Sequence, residues 1–190
     1  MDLSNISDIY IGSGKIGAVY KGSNKLWPQG SGPTYKHWKI EFIDDYFGDV
    51  HIGEIAFVTP DDDAISHDRI VKITVKSEYQ FGPKEGAFDG IANGALGYWT
   101  DTGPSPGDPE WLAVEFDSAV TVGAMNINLY NGTVSPPKNV NLYGSDDGAT
   151  WNLLGSKEFD NTTSADDDYW YPVPLIVVPG TYAVPPPGYA

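Results

Sequence analysis

Apolar and polar residues alternate in short runs along much of this chain. Trp38, Ile40 and Phe42 alternate with His37, Lys39 and Glu41, a period of two that predicts a half-buried strand over 35–42. The same period places Leu112, Val114 and Phe116 on one inward face within 110–116, and sets Met125, Ile127 and Leu129 against Asn126 and Asn128. Further strands are predicted over 52–58, 69–75, 138–143, 151–154 and 171–178. Turn formers fill the gaps, as in Asp44-Asp45-Tyr46-Phe47-Gly48-Asp49 and Thr59-Pro60-Asp61-Asp62-Asp63. No stretch of useful length holds a 3.6-residue period, so almost no helix is expected. Short strands joined by Gly, Pro and Asp turns predict an all-β protein, a jelly-roll β-sandwich.

The N-terminus follows a different rule. Ile9-Tyr10-Ile11-Gly12-Ser13-Gly14-Lys15-Ile16 aligns with Val19-Tyr20-Lys21-Gly22-Ser23-Asn24-Lys25-Leu26, an internal repeat of ten residues. Each copy is a short β run, a Gly-Ser turn and a Lys-apolar exit, which predicts a small hairpin or hairpin pair closed by Trp27-Pro28. So little chain cannot bury its own apolar face and must pack on something else. The expected organisation is a docking segment over 1–28, a Gly/Ser/Pro linker over 29–33, the sandwich over 34–178 and an extended Pro-rich tail over 179–190.

Composition narrows the function. Gly (22) and Pro (15) are abundant and aromatics make up 13%, which fits a folded, turn-rich β chain rather than a disordered one. A formal charge of −15 argues against a nucleic-acid partner, since phosphate binding needs clustered cations. The absence of cysteine removes disulfides, thiol nucleophiles and thiolate metal sites. No long apolar run predicts a membrane span, and the start Met1-Asp2-Leu3-Ser4 reads as a native start without a signal peptide, hence synthesis in a cytoplasm. No Gly-x-Ser-x-Gly occurs, and His37, His51 and His67 follow no motif spacing, so the expectation is no enzyme and no catalytic residues. Asp61-Asp62-Asp63 and Asp166-Asp167-Asp168 lack EF-hand spacing and read as solvated loop acids.

Several segments, in order, resemble the discoidin family, also called coagulation-factor type C or galactose-binding-like domains. They are His37-Trp38-Lys39-Ile40 with Ile52-Gly53-Glu54-Ile55-Ala56-Phe57, Ala87-Phe88-Asp89-Gly90 with Tyr98-Trp99-Thr100, Trp111 to Phe116, and Tyr143-Gly144-Ser145-Asp146-Asp147-Gly148-Ala149-Thr150-Trp151. The resemblance implies a β-sandwich jelly roll with ligand loops at one end. It also implies a structural calcium at the Asp-Gly element, with Asp89 as the matching side-chain ligand and carbonyls of 91–94 beside it. The acidic ligand that members often supply near the last strand has no counterpart in 174–178. Trp38, Trp99, Trp111 and Trp151 lie in or beside strands and are expected in the core. Aromatic and amide pairs in the loops, Tyr46 with Phe47, Tyr130 with Asn131 and Tyr169 with Trp170, are the candidate sugar contacts. Galactose-type sites often set an Arg or His beside an aromatic, and Arg69 is the chain's single arginine.

The repeat resembles N-terminal segments of bacteriophage tail and virion proteins. Repeat and sandwich together give the expectation of a non-enzymatic virion structural protein, on a tail fibre or baseplate and exposed on the particle. Its partners would be other virion proteins, further copies of itself and a host-surface glycan, without membrane insertion. The alternatives are a capsid decoration or adaptor protein with a pure assembly role, and a carbohydrate-binding module of a glycoside hydrolase.

Overall fold

The computed structural model describes residues 32–46, 48–91, 97–129, 137–159 and 170–175, with strand residues 10–11, 14–15, 19–21 and 24–27. In the N-terminal segment, β1 (Tyr10–Ile11) pairs with β2 (Gly14–Lys15), and β3 (Val19–Lys21) with β4 (Asn24–Trp27). Each copy of the repeat therefore forms its own antiparallel hairpin.

The remaining strands are β5 (Thr34–Asp45), β6 (His51–Val58), β7 (Ile70–Val75), β8 (Tyr98–Trp99), β9 (Glu110–Thr121), β10 (Ala124–Leu129), β11 (Pro137–Ser145), β12 (Asn152–Glu158) and β13 (Trp170–Pro174). They make two antiparallel sheets, of order β12-β11-β5-β9-β7 and β13-β10-β6-β8, which form a β-sandwich. The described helical elements are two single 3₁₀ turns, His67–Arg69 and Lys84–Ala87. The first displaces the start of β7 from the expected Arg69 to Ile70, because the Ser66 hydroxyl accepts the Asp68 N–H at 3.3 Å and starts a turn there. The two-residue β8 carries too little alternation to be read from sequence.

Alternation decides what the core contains. Trp38, Ile40 and Phe42 of β5 meet Leu112, Val114 and Phe116 of β9, with Met125, Ile127 and Leu129 of β10 from the other sheet. Trp38 is wholly buried and its indole N–H donates to the Tyr35 carbonyl at 3.1 Å. The other three tryptophans expected in the core keep part of their surface and stand outside it. The alternation that turns Leu112 inward turns Trp111 outward. Trp151 lies on the outer side of the larger sheet, where the Lys39 ammonium sits 4.6 Å from the Tyr143 ring and 5.1 Å from that of Trp151.

One irregularity positions the rest. Asn128 pairs with Glu54 and Leu129 with Ile52, so Gly53 has no partner on β10. This is a β-bulge, which lets Ile52, Ile55 and Phe57 all reach the core although their spacing is not strictly two. Its consequence is that His51 and Glu54 both turn to the outer face of the smaller sheet. The segment 79–91, with the second 3₁₀ turn, packs over that face and buries it.

Candidate functional site

The outer face of the smaller sheet ends in an open cleft of about 350 Å³ lined by Gly48, Asp49, His51, Tyr79, Trp99, Thr100 and Asp101. Cross-strand pairing builds its aromatic wall. His51 is opposite Trp99 across β6 and β8, and the Tyr79 N–H donates to the Trp99 carbonyl at 3.0 Å on the other side. Three neighbouring segments thus stack three rings: His51 and Trp99 have centroids 4.2 Å apart and planes 7° from parallel, and Trp99 and Tyr79 are 5.6 Å apart at 9°. Both faces of Trp99 are covered, so it offers the cleft its edge. The exposed apolar ring next to this stack is Phe81, 62% exposed and edge-on to Tyr79 at 5.6 Å.

The polar side of the cleft is acidic. The Asp49 carboxylate lies 2.9 Å from His51 Nε2. The Thr100 hydroxyl is held in place by accepting the Val50 N–H at 3.0 Å, and the Asp101 N–H donates to Ser77 Oγ at 3.1 Å, which leaves the Asp101 carboxylate facing water. No lysine or arginine is among the lining residues. Carboxylates, a hydroxyl and an imidazole can accept from and donate to ligand hydroxyls, while Phe81 can cover a C–H face.

A second polar cluster lies further along β6. The Glu54 carboxylate is 2% exposed. Its Oε2 accepts the Gly90 N–H at 3.2 Å, and the Asp89 carboxyl is close by. Its Oε1 is buried with no hydrogen bond, although His67 Nδ1 stands 3.2 Å away. Burial first, and then the charge of Asp89, push the Glu54 carboxyl up to about 8. Glu110, equally buried at 1% exposure, makes a contrast. Its two oxygens accept from the Ser77 and Thr102 hydroxyls at 2.8 Å each, and the Lys76 ammonium lies 3.5 Å away.

Compared with protein-family models, residues 72–174 match the F5/8 type C domain, more than half of the chain. This chain belongs to the F5/8 type C family. No curated protein and no solved structure matches it. The match begins within β7, yet the F5/8 type C sandwich of this chain includes the two preceding strands: β5 lies at the centre of the larger sheet and β6 inside the smaller one.

The residues singled out from sequence are distributed as follows. Tyr46 and Trp170 adjoin the cleft's end of the sandwich, since Pro137 pairs with Asp45 and Trp170 with Asn128, next to the start of β6. The Tyr46 hydroxyl donates to the Phe159 carbonyl at 2.7 Å and so braces its loop. Trp170 is half-buried at the start of β13. Phe47, Tyr130, Asn131 and Tyr169 lie outside the described residues. Asp89 is exposed and its Oδ1 accepts the Ile91 N–H at 2.8 Å, a local turn contact. Six residues of interest escaped sequence reading: Asp49, His51, Tyr79, Phe81, Thr100 and Asp101. The available signal was the run Tyr79-Gln80-Phe81, two aromatics in a turn-rich stretch with no strand to bury them.

Calcium takes six to eight oxygens, with acidic side chains and main-chain carbonyls together. Among the described residues no group of three or more His, Asp or Glu side chains is placed to hold a metal. Two carboxylates do come together at the Asp-Gly element, Asp89 and Glu54, and one buried oxygen there lacks a hydrogen bond. Two carboxylates are short of a calcium shell, so the described residues do not by themselves build a metal site.

Proposed function

We propose that this F5/8 type C domain is a non-enzymatic carbohydrate-binding module whose ligand enters the cleft at the end of the smaller sheet. The observation that carries this reading is an exposed ring, Phe81, set against the lining residue Tyr79, together with hydroxyl-binding groups on Asp49, His51, Thr100 and Asp101 in the cleft. Sugar sites need such an apolar face beside a few fixed polar groups. The acidic lining and the charge of −15 disfavour sulfated or sialylated glycans and favour neutral ones.

The two repeat hairpins support a display role. They pair within themselves, and neither joins a sheet of the sandwich. In this reading they dock the protein on a larger particle, such as a virion tail or baseplate, and present several sandwiches toward a host-surface glycan. Effective concentration then multiplies weak single-site affinity by orders of magnitude. The same hairpins favour a second reading, an assembly adaptor that binds no glycan.

A glycan array probed with the multimerised protein, in calcium and again in chelator, tests the proposal. Binding to a defined neutral sugar class, lost in Phe81→Ala and in Asp101→Ala, is the expected result. Absence of binding to every glycan in both conditions overturns it and leaves the adaptor.

A further inference from the structure

From the charges around the cleft we infer that its preferred sugar carries a free amine, bound more tightly than the neutral parent sugar or its N-acetyl derivative. The inference rests on the carbohydrate reading of the cleft and narrows it.

The cleft holds negative charge with little to offset it. Asp49 has the His51 imidazole as a partner at 2.9 Å. The Asp101 carboxylate has no partner among the described residues, since only its backbone N–H is tied, to Ser77 Oγ at 3.1 Å. A third carboxylate stands beside the lining, where Asp45 accepts the Gly48 N–H. The lysines of the flanking segments are matched to other acids. Lys76 lies 2.6 Å from Asp108 and 3.5 Å from Glu110, Lys84 is 3.2 Å from both Glu78 and Glu85, and Lys138 is 3.1 Å from Asp44. None of the three lines the cleft. The field that disfavours an anionic glycan therefore attracts a cationic one.

Chemistry selects the kind of cation. A hard divalent metal takes six or more oxygens, and no group of three metal-binding side chains occurs among the described residues. An ammonium asks for less. It has three N–H donors and no acceptor, which suits carboxylates and a hydroxyl oxygen. The lining supplies such acceptors on Asp49, Asp101 and Thr100. A hydrogen bond from an ammonium to a carboxylate is roughly twice as strong as one between neutral groups. The exposed ring of Phe81, set against Tyr79, can cover the C–H face of the same sugar. N-acetylation removes the charge and leaves a single donor, so it removes the gain.

The test is a titration of the full chain at low ionic strength and pH 6.5, where a sugar amine is protonated. The probes are galactose, galactosamine and N-acetylgalactosamine, with the glucose series beside them, read by amide chemical shifts. The amine is expected to bind about three- to ten-fold more tightly than its neutral parent, the scale of a partly exposed ion pair with charge-assisted hydrogen bonds. In 1 M salt, where the screening length is about 3 Å, that ratio should fall toward one. Asp101→Asn should lower the ratio too, whatever it does to each affinity. Asp61→Asn removes the same charge beyond Val58, past the opposite end of β6 from His51, and should keep the wild-type ratio. Neutral sugars bound as tightly as their amines overturn the inference and leave the carbohydrate reading standing. A ratio that ignores both salt and Asp101→Asn also overturns it, as does ethanolamine bound as tightly as the amino sugars. Absence of binding by every sugar overturns the inference and the carbohydrate reading together.

Discussion

The imidazole of His51 lies parallel to the indole of Trp99 at 4.2 Å, on the solvent side of the smaller sheet. Neither residue is in the core, and each is held by the strand pair β6–β8 rather than by a loop. The cleft's wall is therefore part of the sheet, and its geometry is as rigid as the ladder beneath it.

Trp99 is the middle ring of the stack, so its removal unsupports both neighbours. Trp99→Ala should cost about 2–4 kcal/mol in chemical denaturation, at the lower side of the range for buried aromatics because the ring is half-buried. Gly82 reports on the same contact from the other direction. A Cβ there would meet Trp99 Cγ at 2.4 Å, so Gly82→Ala should cost about 1–3 kcal/mol. A Gly82→Ala protein as stable as the wild type would mean that the indole does not lie against this turn.

Phe81 should behave in the opposite way. With 62% of its surface exposed it adds little to the fold, and Phe81→Ala should change stability by less than about 0.5 kcal/mol. Sugar affinity should fall about five- to ten-fold, the equivalent of about 1–1.4 kcal/mol of lost ring contact. A large stability loss in this variant, measured in urea, would make Phe81 a structural residue.

Asp147 sets a pH dependence. Its carboxylate accepts the N–H groups of Thr150 at 2.7 Å and Ala149 at 2.8 Å and the Ser145 hydroxyl at 3.0 Å, which holds it far below the ordinary carboxylate range. A depressed pKa in the fold means that the unfolded chain binds the proton first. The stabilisation is then present above the ordinary Asp value near pH 3.8 and is lost as pH falls below it. Melting curves from pH 6 to pH 2.5 should show a shallower acid loss in Asp147→Asn than in the wild type. Parallel curves would mean that the hairpin carries no such linkage.

Deletion of residues 1–28 should leave the sandwich folded, because both of its sheets are complete from Thr34 onward. Circular dichroism and thermal melting check this. An unfolded or aggregated truncation would place the repeat hairpins in the sandwich's own core.

Much of the sandwich was legible in the chain because half-buried antiparallel strands announce themselves by period two. The runs around Trp38, Leu112 and Met125 gave β5, β9 and β10, with ends extended by a few residues. The ten-residue repeat gave two hairpins, and Asp147-Gly148 gave the turn before β12, where Gly148 has φ of 70°.

The site was a different matter. A lone tryptophan beside a strand reads as core, and nothing local reveals that His51, Tyr79 and Trp99 stack on the outer face. That outcome was decided by the bulge at Gly53, which reverses the facing of residues on its N-terminal side, and by the return of 79–91 over the sheet. Together they turn His51 into the cleft wall and bury Glu54 under the Asp89 turn. Sequence alone determined which segments are strands, since period two is a property of one strand. Only the tertiary structure decided which polar groups share a site, because that depends on register between strands and on which loop covers a face.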